Sequence, residues 1–406
     1  MKNLKLLAVA LVAMVGLNSC SKDCDHKFME HDFTNELVGT WTYFAENGQA
    51  EAMEIKEDGS FATTGIMQGG SLYEEKGTIM AVNNTVTLAY NSGDMFEGRL
   101  EFVAGKAMSI VFNEENDIRL TYDYCENDLS DEIVGMWVCN EGVADMAIQT
   151  YQEDGTCVYT GFSYGANDYM TNFGSTYEVF GDMLFQKTGD RYFATRLTYL
   201  PNGNSLGDIL TTTSTILIND KAVTSSYSFL RVKQHLELPG TKYDYIKTFV
   251  TNVKGEDKDI PFLNTSFNFA KMDGSIIDKF LKSILFTVEF PEANKIKYNY
   301  LLEGKNIVID APIEVDGNKM TIKMSENNPA YQDVVLYAFQ DKDNTQMHWY
   351  MPTTSFEKFF ANTSVHVMLG NGQLKENDTE EIAGVYKTIA DAVESINLSI
   401  VMSQSK

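Results

Sequence analysis

Hydrophobic and polar positions alternate with a period of two over much of the chain, the pattern of strands with one face in a core and the other in water. Ile118, Leu120, Tyr122 and Tyr124 alternate with Arg119, Thr121 and Asp123, and residues 85–90 alternate in the same way. Turn-forming pairs punctuate these runs at Asn47-Gly48, Asp58-Gly59, Gly69-Gly70, Asn83-Asn84 and Ser92-Gly93. Consecutive strands are therefore expected to fold back on one another as an up-and-down meander that closes. A further strand is expected over 211–218. Helical periodicity enters only late. Ile276, Ile277, Phe280, Leu281 and Ile284 share a helical face behind a Ser275/Asp278 capping box. Ile382, Val385, Tyr386, Ile389, Val393 and Ile396 form a second stripe that Asp378 and Glu381 would cap. Between these stripes, Ile296, Tyr298, Tyr300 and Leu302 alternate as a strand, as do Met320, Ile322 and Met324 beyond the Asp316-Gly317 turn. The last part of the chain is expected to be an α+β domain.

The pattern also repeats. Glu36-Leu37-Val38-Gly39-Thr40-Trp41 recurs as Glu132-Ile133-Val134-Gly135-Met136-Trp137, an offset of 96 residues. The same offset carries Glu57-Asp58-Gly59-Ser60 onto Glu153-Asp154-Gly155-Thr156, and Gly65 onto Gly161. Three landmarks in one register imply two related modules. The Gly-x-Trp on the first strand, with an Asp-Gly turn after it, resembles the lipocalin-like pattern over residues 34–233. That resemblance implies two small antiparallel barrels, each closed at one end by its Trp. Eight strands with short turns need ~80 residues, so a repeat of this length leaves little for deep loops and a filled interior is expected. Trp41 and Trp137 are accordingly read as structural plugs. The expected organisation is mainly β: a leader over 1–19, a tether over 20–33, barrels over 34–128 and 129–233, a linker over 234–262, and the α+β domain over 263–406. The linker follows from Pro239-Gly240 and the charged run from Lys254 to Asp259.

Charge narrows the partners. With 57 acidic against 32 basic residues, the formal charge is -25. Such a field repels phosphate backbones, so nucleic acid is excluded as a partner. The amino terminus supplies an address. Lys2 and Lys5 precede an apolar run over 6–16, the size of a secretory signal core and too short to span a bilayer. Leu17-Asn18-Ser19-Cys20 resembles a bacterial lipobox, with Asn18 departing from the usual small residue, and the resemblance implies lipidation of Cys20. Ser21-Lys22-Asp23-Cys24-Asp25 resembles the Lys-acidic signal that sends Bacteroidota lipoproteins to the outer face of the outer membrane; the alternative is a plain solvated tether facing the periplasm. The segment from Ser325 to Pro352 resembles C-terminal domains of Bacteroidota lipoproteins that carry tandem lipocalin-like modules, a family that brings no activity with it. The expected location is the outer membrane, through the lipid.

No motif specifies chemistry. His26, His31, His235, His348 and His366 lack metal-ligand spacing, and no metal or cofactor is expected. Asp341-Lys342-Asp343-Asn344 fails as a calcium-binding EF-hand loop because Gln346 stands where Gly is needed and Pro352 where Glu is needed. A looser site on Asp341, Asp343 and Asn344, or a solvated turn, are the two readings of that stretch. Phosphate-loop, dinucleotide and Gly-x-Ser-x-Gly signatures are absent from the sequence. Cys24, Cys125, Cys139 and Cys157 are open to pairing, with Cys139 and Cys157 on neighbouring strands, or to a role as buried thiols. His348, Trp349 and Tyr350 are the candidate ligand platform, although in a strand Trp349 faces away from the other two. The expectation is a non-catalytic envelope lipoprotein with binding or scaffolding modules for an unknown small molecule, glycan or protein. The alternatives are a glycan or nutrient-capture lipoprotein working with an outer-membrane transporter, and a hydrolase with a dispersed site.

Overall fold

A computed structural model describes residues 32–405 apart from 68–69, 114–117, 140–146, 163–168, 203–206, 219–220, 263–264, 272–273, 284–285, 303, 342 and 344. The leader, Cys20, Cys24, His26, His31 and Asn344 lie outside the described residues. Three closed antiparallel barrels of eight strands follow one another along the chain. The first runs β1 (Gly39–Phe44), β2 (Ala50–Ile55), β3 (Ser60–Met67), β4 (Ser71–Val82), β5 (Thr85–Tyr90), β6 (Met95–Val103), β7 (Ala107–Asn113) and β8 (Ile118–Cys125). Each strand pairs with the next, and β1 closes on β8 with Trp41 opposite Tyr124. The second runs β9 (Gly135–Cys139), β10 (Ala147–Tyr151), β11 (Thr156–Phe162), β12 (Tyr169–Phe180), β13 (Met183–Thr188), β14 (Arg191–Leu200), β15 (Ile209–Ile218) and β16 (Lys221–Val232). It closes through β9 and β16, with Trp137 opposite Arg231.

The repeated residues do the same work twice. Trp41 and Trp137 are wholly buried, and each indole N–H donates to a carbonyl of the preceding turn, at Leu37 and Ile133, over 2.7 Å. In the two Asp-Gly turns the glycines have φ of 76° and 77°, a region that favours glycine, and the Asp carboxylate accepts the N–H of Ser60 or Thr156 at 2.9 Å. Both barrels therefore start and turn by the same local physics, as the offset predicted.

The C-terminal domain is α+β, and its sheet closes into a third barrel. Its strands are β17 (Thr241–Gly255), then, after the separate hairpin β18 (Asp259–Phe262) and β19 (Thr265–Asn268), β20 (Thr287–Glu292), β21 (Lys295–Leu302), β22 (Lys305–Asp316), β23 (Lys319–Ile322), β24 (Val334–Gln340), β25 (Gln346–Met351) and β26 (Val393–Gln404). Helices α1 (Gly274–Ser283), α2 (Met324–Asn327), α3 (Thr353–Gly370) and α4 (Thr379–Ala392) interrupt the strand order. The expected linker is thus mostly structured. Pro239-Gly240 launches β17, which pairs with both β20 and β26, and the charged run marks its far end and the loop to β18. The connector itself is pinned, because Lys233 N–H donates to the Gln340 carbonyl at 2.9 Å and the buried Gln340 amide donates to the Glu237 carbonyl at 2.9 Å. The last helical stripe ends at Ala392; Val393 and Ile396 belong instead to β26, which inserts between β17 and β25 to close the barrel. Asp278 accepts the Tyr245 hydroxyl at 2.6 Å and so ties α1 to β17.

Two apolar seams join the barrels. Ala50, Ala52 and Ile66 on the outer wall of the first pack on Met183, Phe185 and Ala194 of the second. Val138, Ile148, Leu230 and Val232 of the second pack on Tyr337, Phe339 and Tyr350 of the third. At the edge of the first seam, Arg196 reaches Asp123 of the first barrel at 3.1 Å.

Candidate functional site in the first barrel

The parity of each strand decides which side chains enter a barrel. In β2, Met53 and Ile55 face the core, so Glu51 faces it as well. In β4, Ile79 and Ala81 face the core, which brings Gly77, Glu75 and Tyr73 to the same side. Exposure grades along that row: Ala81, Ile79 and Gly77 are buried, Tyr73 is half-buried and Glu75 is exposed. The Trp41 end of the barrel is therefore filled, and toward the opposite end the inward row reaches solvent at Glu75. A carboxylate that faces inward at the open end must find its own donors.

Tyrosines supply them. Glu51 Oε1 accepts the Tyr122 hydroxyl at 2.5 Å, and Oε2 accepts the Tyr73 hydroxyl. Tyr43, directly opposite Glu51 on β1, lies 6.0 Å from the Tyr122 ring between centroids. Tyr90 extends the wall on β5, edge-on to Phe61 and Phe96. Gly65 is what lets Tyr73 reach across: a Cβ there would stand 2.3 Å from the Tyr73 ring, so only glycine leaves room for the phenol to cross β3 to Glu51. Thr63, one inward position deeper on β3, is 3% exposed, and its hydroxyl has no hydrogen-bond partner among the described residues.

Burial raises the Glu51 carboxyl above the ordinary carboxylate range; the two phenols pull it back in part, and nearby Glu75 pushes it up again. Glu75 is raised by its own desolvation and by Asp94. Burial and the Glu51 charge raise Tyr73, Tyr90 and Tyr122, so all three are neutral phenols at ordinary pH. The result is an oriented carboxyl group, walled by aromatic rings, with lone pairs left over for a guest.

The second barrel does not reproduce this. The register that sets Glu51 opposite Gly65 sets Ala147 opposite Gly161. Its interior holds instead a Tyr151 hydroxyl donating to Gln149 at 2.7 Å, and the Arg231 guanidinium 4.6 Å from the Trp137 ring centre.

The expected platform is not assembled. His348, Trp349 and Tyr350 lie on β25, whose six residues are all buried because the barrel core covers one face and the second seam the other. Trp349 points into the core, 5.9 Å from the Tyr298 ring, while Tyr350 belongs to the seam. Burial, with Lys247 nearby, holds the His348 imidazole down to about 4. Asp341 is also buried; it accepts the Gln346 N–H at 2.9 Å and the Thr345 hydroxyl, an ordinary turn. Cys139 and Cys157 sit as thiols in the core of the second barrel. Among the described residues, no group of three or more His, Cys, Asp or Glu side chains is placed to hold a metal ion, and no helix is long and apolar enough to cross a membrane.

Sequence reasoning passed over Glu51 because carboxylates are abundant in so acidic a chain. The usable signal was its parity: in Ala50-Glu51-Ala52-Met53-Glu54-Ile55 the charge of Glu51, unlike that of Glu54, falls on the apolar face. No protein-family model matches the chain, and no curated protein matches it.

Proposed function

We propose that the chain is a non-catalytic, lipid-anchored binding protein of the bacterial cell envelope, in which the open end of the first barrel holds a small ligand and the other two barrels act as scaffold. The observation that carries this reading is an inward-facing carboxyl group, Glu51, held at its two oxygens by the buried Tyr122 and the half-buried Tyr73. Keeping a carboxyl in that position raises its pKa and costs stability, which favours a role in recognition over one in packing. The anchor is Cys20, and its short tether leaves the folded barrels outside the bilayer, at the outer membrane.

Two experiments test the parts separately. Titrating the soluble protein, starting at residue 26, with glycans, lipophiles and small organic ions should yield a ligand whose binding is lost in Glu51→Gln. A ligand indifferent to Glu51 would move the site elsewhere. Replacing Cys20 by Ala should release the protein from membranes, and undiminished membrane association would refute the anchor.

A further inference from the structure

We propose that the open end of the first barrel selects a small organic cation, an ammonium group on an apolar body; the proposal rests on the reading of this barrel as a ligand cup. The sign of the guest follows from what faces it. Glu51 and Glu75 both point inward, and each is destabilised as an anion by burial and by a neighbouring carboxylate. An anionic guest would add to that repulsion, and a neutral one would leave it uncompensated. A cation relieves it.

The shape of the guest follows from the walls. Tyr73, Tyr90 and Tyr122 are neutral phenols, and the hydroxyls of Tyr73 and Tyr122 are turned to Glu51. Their rings offer the electron-rich faces that attract ammonium groups. Thr63 is the independent pointer. Its buried hydroxyl faces the same interior, sits across from Glu75 in register, and has no protein partner among the described residues. A buried hydroxyl without a partner is costly, and an ammonium N–H supplies the missing donor.

Binding should also release a proton. Burial and the Glu75 charge raise Glu51 while the cup is empty, so it holds its proton to a higher pH than an ordinary carboxyl does. An ammonium beside it favours the carboxylate, and the displaced proton passes to buffer.

The test uses the full-length chain in detergent, titrated calorimetrically at mildly acidic pH with benzylamine, benzyl alcohol and benzoate, while deuterium exchange follows residues 71–77 and 118–125. Benzylamine should bind about tenfold more tightly than benzyl alcohol. Its measured heat should change with the ionisation heat of the buffer, as proton release requires. Glu51→Gln should abolish both effects, and Glu75→Gln, at an exposed position, should reduce the preference several-fold. If benzyl alcohol or benzoate binds as well as benzylamine and protects the same strands, the cation assignment is overturned and the cup stands. If no probe of any charge protects these strands, the cup falls with it.

Discussion

Acidification should loosen the seam between the second and third barrels through His348. This side chain is 5% exposed, lies between Phe339 and Val401 in the sheet, and has no hydrogen-bond partner for Nε2 among the described residues. Burial comes first and the Lys247 charge second in lowering its imidazole from 6.5 to about 4. The unfolded chain therefore binds a proton below pH 6.5 that the folded chain refuses until about pH 4. Stability is unaffected above the higher value, falls through the window between the two, and levels off below the lower. Each pH unit of separation is worth about 1.4 kcal/mol, which sets a ceiling of about 3 kcal/mol, and the share lost between pH 7 and pH 5 is about 2 kcal/mol. Urea unfolding at these two pH values, followed by Trp fluorescence, should show the wild type losing that much more stability than His348→Gln. Comparing the two proteins cancels every other titrating group, including the raised Glu51, whose linkage runs the opposite way. Equal losses in both would refute the argument.

Other predictions concern packing and thiols. Gly65→Ala should drive the Tyr73 ring off Glu51 and cost about 1–3 kcal/mol, read as a lower urea midpoint; an unchanged midpoint would show that the wall yields freely. Phe185→Ala, at a position 4% exposed in the first seam, should cost about 3 kcal/mol and raise deuterium exchange in β2 and β3 of the neighbouring barrel; unchanged exchange there would mean that the seam does not couple the barrels. Burial pushes the Cys125 and Cys157 thiols up to about 11, so iodoacetamide at pH 8 should label them slowly in the native protein and fully in urea without reductant. Rapid native labelling of Cys157 would contradict its burial.

The barrels were legible because their determinants are local. A Trp four residues after the carbonyl it bonds, and an Asp whose carboxylate folds onto the N–H two residues later, can be read from a few adjacent letters. Their recurrence at one offset then fixed the tandem arrangement. What escaped notice depends on contacts distant in sequence. The 234–262 segment looked like a linker because its composition is that of an edge, yet β17 finds its partners in β20 and in the last strand of the chain. His348, Trp349 and Tyr350 looked like a platform because aromatic residues in a strand suit either surface or core. Whether they are covered is decided by a second barrel whose contacting residues precede them by roughly a hundred positions or more.

The divergence of the two repeats says where the ligand site should be and why the neighbouring barrel matters to it. Both repeats keep the Trp plug and the glycine opposite the critical position of the second strand, so the fold does not require Glu51 there; Ala147 does as well. The second barrel is instead committed on its outer walls to both seams. Its strands also reach the rim of the first. Tyr192 N–H donates to the Gly70 carbonyl at 3.3 Å, and a Cβ on Gly48 would stand 3.0 Å from the Thr215 carbonyl, so two turns at the open end of the first barrel rest on β14 and β15. A rim held by a neighbouring domain loses less freedom when a guest arrives, and that loss is one of the main costs of binding. On the function proposed above, the second barrel contributes to affinity without touching the ligand. Weakening the seam with Phe185→Ala should therefore weaken the binding of benzylamine to the first barrel while leaving its preference over benzyl alcohol intact, because the charge that sets the preference stays in place. A loss of preference instead would mean that the seam shapes the carboxylate site itself.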